Sequence, residues 1–203
     1  MNLFYNLNGV GNVLLVQFTS SRPRDIRIES KADVTLIYDD SKNELVGLNL
    51  FNASSYMELK EEGQVELTES IALELKQSLV KNGVDVQLDV DFTPKFVIGL
   101  VEKTESHPNA DKLKVCTVDV GDETLQIVCG ASNIAEGQKV VVAKVGAVMA
   151  SGTVIRDAEL RGVASSGMIC SATELNIPNA EKGQGILVLE ESSVIGEAFI
   201  VSN

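Results

Sequence analysis

The sequence predicts a small α+β domain followed by an all-β domain built as a small barrel or sandwich. Three observations lead there. One helical pattern with its own start and stop signals, at Thr68 to Asn82, follows a series of strand-like runs. A polar stretch, D-V-D-F-T-P at Asp89 to Pro94, interrupts the chain, and Pro94 disfavours helix at Thr93. Beyond it, short valine-rich runs recur between glycine turns, about five to seven of them by the notional spacing of a barrel. The expected organisation is therefore an α+β domain over 1–90, a linker over 91–95 and the β domain over 96–203.

Within the first domain, Asn12 to Thr19 is rich in β-branched residues and bounded by Gly9, Gly11, Ser20 and Ser21, which predicts a strand. Arg22 to Ser30 alternates polar and apolar as a half-buried strand does. Asp33 to Tyr38 and Glu44 to Phe51 form a predicted hairpin around the turn-rich Asp39 to Asn43. In the helix, Thr68 is the N-cap, Glu69 suits the positive end, and Ile71, Leu75 and Leu79 share one face. Lys81 occupies the last turn and Gly83 the left-handed position beyond it.

In the second domain the predicted strands are Phe96 to Lys103, Leu113 to Val120, Thr124 to Val128, Gln138 to Val145 and Thr153 to Leu160, with late strands at Ile186 to Leu189 and Phe199 to Val201. Gly121-Asp122 turns the second strand into the third. Pro108-Asn109-Ala110-Asp111-Lys112 is echoed by Pro178-Asn179-Ala180-Glu181-Lys182, and both read as turns.

Composition narrows the function. A hydrophobic fraction of 44% supports a packed core, but tryptophan is absent and aromatics reach only 4%, so the cores rest on Val, Leu and Ile. The N-terminus carries no basic region, and the apolar run Val13 to Phe18 is too short for a signal or membrane segment, which predicts a cytoplasmic protein without a membrane partner. Cys116, Cys129 and Cys170 have no C-x-x-C spacing and one histidine to join them, a poor zinc set; reduced, packed thiols are expected. The net charge is −12: residues 1–92 hold 8 basic and 15 acidic side chains, and residues 93–203 hold 9 and 14. A globally steering field for nucleic acid is excluded, whereas a local basic face is not. Lys139, Lys144 and Arg156 fall in a stretch, 137–156, that has no acid, and read equally as a solvated face or an RNA-facing one.

The densest motifs lie between Phe96 and Leu175. They are H-P-N-A-D-K-L at His107 to Leu113, I-V-C-G-A-S-N at Ile127 to Asn133, and L-R-G-V-A-S-S-G-M-I-C-S-A-T-E-L at Leu160 to Leu175. The last has no charged residue from Gly162 to Thr173 and offers hydroxyls and glycines with Arg161 at its edge, a surface suited to contact with a polar ligand. Together the three motifs resemble the tRNA-binding domain found in the β subunit of bacterial phenylalanyl-tRNA synthetase, at the C-terminus of some methionyl-tRNA synthetases and in free-standing tRNA-binding proteins. The whole chain resembles the YtpR-like group of the latter. The resemblance implies an OB-fold, a five-stranded Greek-key barrel with short helices, for 96–203, and non-catalytic binding to the outside of tRNA with low sequence specificity. It implies contact residues Lys112, Lys114, Asn133, Arg161, Ser166, Met168 and Ser171, and Lys144 joins this set from the RNA-facing reading of the stretch 137–156. Lys and Arg neutralise phosphate, Asn and Ser bond phosphate or ribose oxygens, and Met lies against a sugar or base face. The partners it implies are tRNA, a second copy of the chain and an aminoacyl-tRNA synthetase; no cofactor and no metal is implied.

No Phe, Tyr or Trp occurs between Val97 and Ala198. The stacking platform used by many single-strand-binding OB-folds is therefore missing, which predicts weak recognition of folded tRNA by backbone and shape. Few cations also predict a shallow salt dependence. Two competing readings are an interaction protein that dimerises or docks onto a synthetase through apolar late strands, and a cysteine enzyme using His107 with Cys129. The second lacks an orienting third residue and a nucleophile-elbow motif. Neither G-x-x-x-x-G-K-[ST] nor G-x-G-x-x-G is present, so Gly130, Gly162 and Gly167 read as turn glycines.

Overall fold

The computed structural model describes residues 1–59, 62–181 and 183–200, and the chain divides into two compact units, Met1–Thr93 and Pro94–Asn203. The expected linker at 91–95 straddles that division.

Among the described residues, the first unit is a six-stranded antiparallel sheet with one α-helix. Its strands are β1 (Asn2–Asn6), β2 (Gly11–Gln17), β3 (Ile26–Lys31), β4 (Val34–Asp39), β5 (Glu44–Phe51) and β6 (Gly63–Val65), in the order β3-β4-β5-β2-β1-β6, and a one-turn 3-10 helix covers Ala53–Ser55. Alternation decides which side chains turn inward: Leu3 and Tyr5, Leu14 and Val16, Val34 and Leu36, and Leu48 and Leu50 form the core with Leu75 and Leu79 of α1 (Glu69–Lys81). The predicted caps of α1 are in place. The Thr68 hydroxyl accepts the Ile71 N–H, Gly83 stands at φ 70°, and the Val84 N–H returns to the Leu79 carbonyl. Asn82 ties the helix end to the β3–β4 turn by accepting the Asp33 N–H at 2.9 Å.

Three expectations shift here. The strand expected over Arg22 to Ser30 begins only at Ile26. The strands β1 and β6 were not expected: β6 has three residues and gains its partner, β1, from sixty positions away.

In the second unit, β7 (Phe96–Ser106), β8 (Lys114–Asp119), β9 (Thr124–Cys129), β10 (Lys139–Ala143) and β13 (Met168–Ile169) follow the order β13-β10-β7-β8-β9, and β14 (Val188–Leu189) also pairs with β10. A separate hairpin joins β11 (Asp157–Leu160) to β12 (Val163–Ser166). This hairpin brings the sheet close to closing. The Gln126 side chain of β9 donates to the Ala164 carbonyl, and the Val128 N–H donates to the Ser165 hydroxyl. A Cβ on Gly167, between β12 and β13, would stand 3.0 Å from the Ala143 carbonyl and 3.5 Å from Ile127. The result is a nearly closed, barrel-like sheet of the OB-like kind. Its interior holds Val101, Cys116, Val118, Ile127, Ile134, Val140 and Val142.

The expected strand Thr153 to Leu160 is shortened to Asp157–Leu160, because Val154 and Ile155 fold back on the 146–149 loop: Val154 bridges Val148 and the Ile155 N–H donates to the Ala147 carbonyl. The short helices expected in this domain are absent among the described residues. Ser171 to Asn176 instead makes tight turns, and Asn176 at φ 56° ends them after one. The late strand expected at Phe199 to Val201 is reduced to an Ala198–Val97 bridge and a Phe199–Phe96 backbone bond; Val201, like Lys182 of the second Pro-Asn turn, lies outside the described residues.

Candidate nucleic-acid interface

The site begins with a histidine that holds two loops together. His107 is 5% exposed. Its Nδ1 accepts the Asn109 N–H at 3.0 Å, which fixes the proton on Nε2, and Nε2–H donates to the Leu160 carbonyl at 2.9 Å. Asn109 adds a second stitch, its side-chain amide donating to the Arg161 carbonyl at 3.0 Å. The turn 107–112 and the tip of the β11–β12 hairpin, fifty residues apart in sequence, are thereby fastened side by side.

The hairpin tip is itself unusual. Leu160 pairs with Val163, so Arg161 and Gly162 form a two-residue loop, and both have positive φ, 49° and 88°. That is the type I′ turn that matches strand twist, and it favours Asn-Gly or Asp-Gly over Arg-Gly. An arginine here carries left-handed strain of about 1 kcal/mol, and the His107 and Asn109 bonds help hold it. The Arg161 side chain is exposed, as is Lys112 at the end of the partner turn.

Further along the same strands, Ser166 and Met168 flank Gly167, and the Ser166 hydroxyl donates to Asp157 at 2.7 Å. Ser171 is held by Glu174, whose carboxylate accepts both its N–H and its hydroxyl at 2.7 Å. Two open grooves, of about 500 and 390 Å³, meet along Met168, Thr173 and Glu174. The acids beside these hydroxyls keep the surface from being strongly cationic.

Three of the expected contact residues are engaged elsewhere. The Lys114 ammonium donates to the Ile134 carbonyl at 2.8 Å. The Asn133 amide mimics a strand partner for Ile186, donating to its carbonyl and accepting its N–H, both at 3.0 Å. Lys144 meets Glu123 at 2.8 Å and Asp122 at 3.1 Å. The acid-free stretch 137–156 is thus no open basic face: acids from the β8–β9 turn cover Lys144, Lys139 donates to the Glu191 and Ser193 carbonyls, and Arg156 donates to the Val154 carbonyl. Sequence reading missed Asn109, Gln126, Ser165 and Glu174, whose partners lie across the fold. The Asn two residues after His107 was the one local signal.

Burial works against ammonium charge at Lys144, but Glu123 and Asp122 outweigh it and raise its pKa; the Lys144 hydrogen bond in turn holds Asp122 below the usual 3.8. The signs fix the pH window. Asp122 contributes stability above its unfolded pKa that is lost as pH falls through its lower folded value. Lys144 contributes stability below its unfolded 10.5 that is lost as pH rises through its higher folded value. The stability difference between the native chain and Asp122→Asn is expected to be flat across neutrality and to shrink toward both extremes, as denaturant midpoints against pH will show.

The thiols are not activated. Burial pushes Cys116 up to about 11 and Cys170 up to about 12, and raises Cys129 as well. With both His107 nitrogens occupied, no dyad with Cys129 exists. From a usual 9.0 to about 11, the Cys116 thiolate fraction falls about a hundredfold. In native protein at neutral pH, Cys116 and Cys170 are expected to alkylate at least that much more slowly than free cysteine and Cys129 more slowly as well, with three equivalents reached only on unfolding.

This barrel-like β unit has its distant loops stitched into one mixed polar face, and the chain belongs to the tRNA-binding-domain family. The family model described as "Putative tRNA binding domain" matches residues 96–198; a second, a domain of unknown function, matches residues 22–91. The chain is 55% identical over 199 residues to the "Putative tRNA-binding protein YtpR" of Bacillus subtilis (strain 168), an alignment covering 98% of this chain and 99% of that protein. It is 48% identical over 132 residues to the phenylalanine–tRNA ligase beta subunit of Oleidesulfovibrio alaskensis, covering 64% of this chain and only 16% of that subunit. No helix among the described residues is long and apolar enough to cross a membrane.

Proposed function

We propose that the protein is a non-catalytic tRNA-binding protein, and that its second unit, an OB-fold with a five-stranded Greek-key core, recognises the backbone and shape of folded tRNA with low sequence specificity. The observation that carries this reading is the strained, exposed Arg161, held at the hairpin tip by His107 and Asn109 beside the Lys112 turn. Strain maintained by hydrogen bonds to the loop backbone at an exposed cation is what a phosphate-binding position would need. Ser166, Met168 and Ser171 extend the face with hydroxyls and a thioether for ribose and phosphate. Lys114, Asn133 and Lys144 support the loops around it rather than reaching tRNA. The family match at 96–198 and the 55% identity to a protein named as tRNA-binding support the reading, and the partial likeness to a phenylalanine–tRNA ligase subunit supports a place in translation, in the cytoplasm.

The test is a set of single variants titrated with mixed tRNA. Arg161→Gly is expected to stabilise the unit by about 0.5–1 kcal/mol, since glycine accepts φ 49° without strain, while weakening tRNA binding several-fold. Lys112→Ala weakens binding similarly at unchanged stability. Lys103→Ala, which removes an exposed cation paired with Glu105 on β7, leaves binding unchanged. Loss of binding in Lys103→Ala but not in Arg161→Gly would move the interface off this face.

A further inference from the structure

We propose that β3 is a self-docking edge, through which two copies of the chain pair antiparallel about Ile28 and extend the first unit's sheet across a two-fold axis. The sheet ends at β3, and no described residue pairs with its outer side. Edge strands are normally blunted by charge or bulges, yet Ile26 and Ile28 stand 58% and 57% exposed on this one. Both lie on the side of the sheet away from α1, in line with Ile37, since Ile28 pairs with Ile37 across β4.

The backbone fixes which registers are possible. The Asp40 N–H donates to the Asp25 carbonyl, so the odd residues of β3 bond inward to β4. Alternation leaves the N–H and C=O of Ile26, Ile28 and Ser30 facing outward. Two such edges can bond only when even residues meet even residues. With Ile28 opposite its own copy, Ile26 meets Ser30, Arg27 meets Glu29, and Asp25 meets Lys31, so each charged residue of 25–31 faces the opposite sign. The two adjacent registers of the same parity put Arg27 opposite Arg27 or Glu29 opposite Glu29. Like charges directly opposite are destabilising and unlike ones stabilising, so the side chains select one register. Arg27 already bonds Glu29, Asp40 at 3.1 Å and Asn43 at 2.7 Å, and lies 4.3 Å over the Tyr38 ring. It is thus held on the α1 side, where the copy's Glu29 would arrive. On the other side Ile26 and Ile28 of both chains would form one apolar strip. The interface is isologous, as a closed two-fold dimer requires.

The test is the solution mass of the full chain by light scattering or sedimentation. The native chain is expected at twice the 21.8 kDa of one copy. Ile28→Lys, which brings two ammonium groups together on the axis, is expected to weaken association at least about tenfold. Arg27→Glu and Glu29→Arg should each do the same, and the double swap Arg27→Glu/Glu29→Arg should restore the dimer. Arg27→Glu also removes contacts within one copy, so its folding is checked by circular dichroism, whereas Ile28 makes none of those contacts. A cysteine at 28 should cross-link to its own copy, because residues opposed in a hydrogen-bonded pair lie about 5.5 Å apart, and a cysteine at 26 should not. A monomeric native chain, a dimer indifferent to Ile28→Lys, or a double swap that stays monomeric while folded would overturn the proposal.

Discussion

Replacing His107 with alanine is expected to lower the thermal midpoint of the second unit by on the order of 10 °C. The side chain is buried and uses both nitrogens, so its removal leaves a cavity, an unpaired Leu160 carbonyl and a freed Asn109 N–H. A lost buried bond costs about 1–3 kcal/mol and a ring-sized cavity a similar amount, together roughly 3 kcal/mol. At about 4 °C per kcal/mol for a unit of this size, the shift follows. The tyrosines, Tyr5, Tyr38 and Tyr56, all lie in the first unit and the three cysteines all in the second, so thiol exposure on heating reports this unit selectively. tRNA affinity should fall with it even at temperatures where the variant is folded, since Arg161 loses part of what holds it. A His107→Ala protein with unchanged midpoint would mean that the two loops are positioned by something else.

A loss of similar size is expected from Gly185→Ala. Gly185 has φ 79°, and a Cβ there would come within 2.1 Å of the Asn133 Oδ1. The amide must swing away, breaking both of its bonds to Ile186, and alanine also takes on left-handed strain of about 1 kcal/mol. Two lost bonds at about 1 kcal/mol each bring the total to roughly 3 kcal/mol. Asn133→Ala alone should recover most of it, about 2 kcal/mol, and the double variant should be little worse than Gly185→Ala, because both act on the same pair of bonds. Denaturant unfolding followed by thiol exposure gives all three values; full additivity of the two single changes would show that the steric conflict is not the cause.

What could be read from the residues was local. Thr68 and Gly83 bracket α1 because caps are short-range chemistry, β2 announces itself by its β-branched residues, and β4 and β5 announce themselves by the turn-rich Asp39 to Asn43 between them. The same holds for the motifs at 107–113, 127–133 and 160–175, which carried the family resemblance. What could not be read was pairing over distance. The strand β6 exists only because β1 lies beside it, and Arg161-Gly162 is a type I′ turn without the Asn or Asp that would mark it. The candidate site divides along the same line. Lys112, Arg161, Ser166, Met168 and Ser171 stand on the stitched turns and on the β12 and β13 strands that lead from them. Lys114, Asn133 and Lys144 look identical to them in sequence, and differ only because Ile134, Ile186 and the Asp122–Glu123 turn, remote or across a turn, fold against them.

The most direct measurement is the affinity of the intact protein for mixed tRNA between about 50 and 200 mM salt, with Arg161→Gly beside it. A face with few free cations predicts weak, salt-sensitive binding, with a logarithmic slope of only a few multiples of about −0.7 to −0.9, and a slope for Arg161→Gly smaller by about one multiple. No binding at the low end of that range, or a slope equivalent to eight or more phosphates that Arg161→Gly leaves untouched, would contradict tRNA recognition by this face.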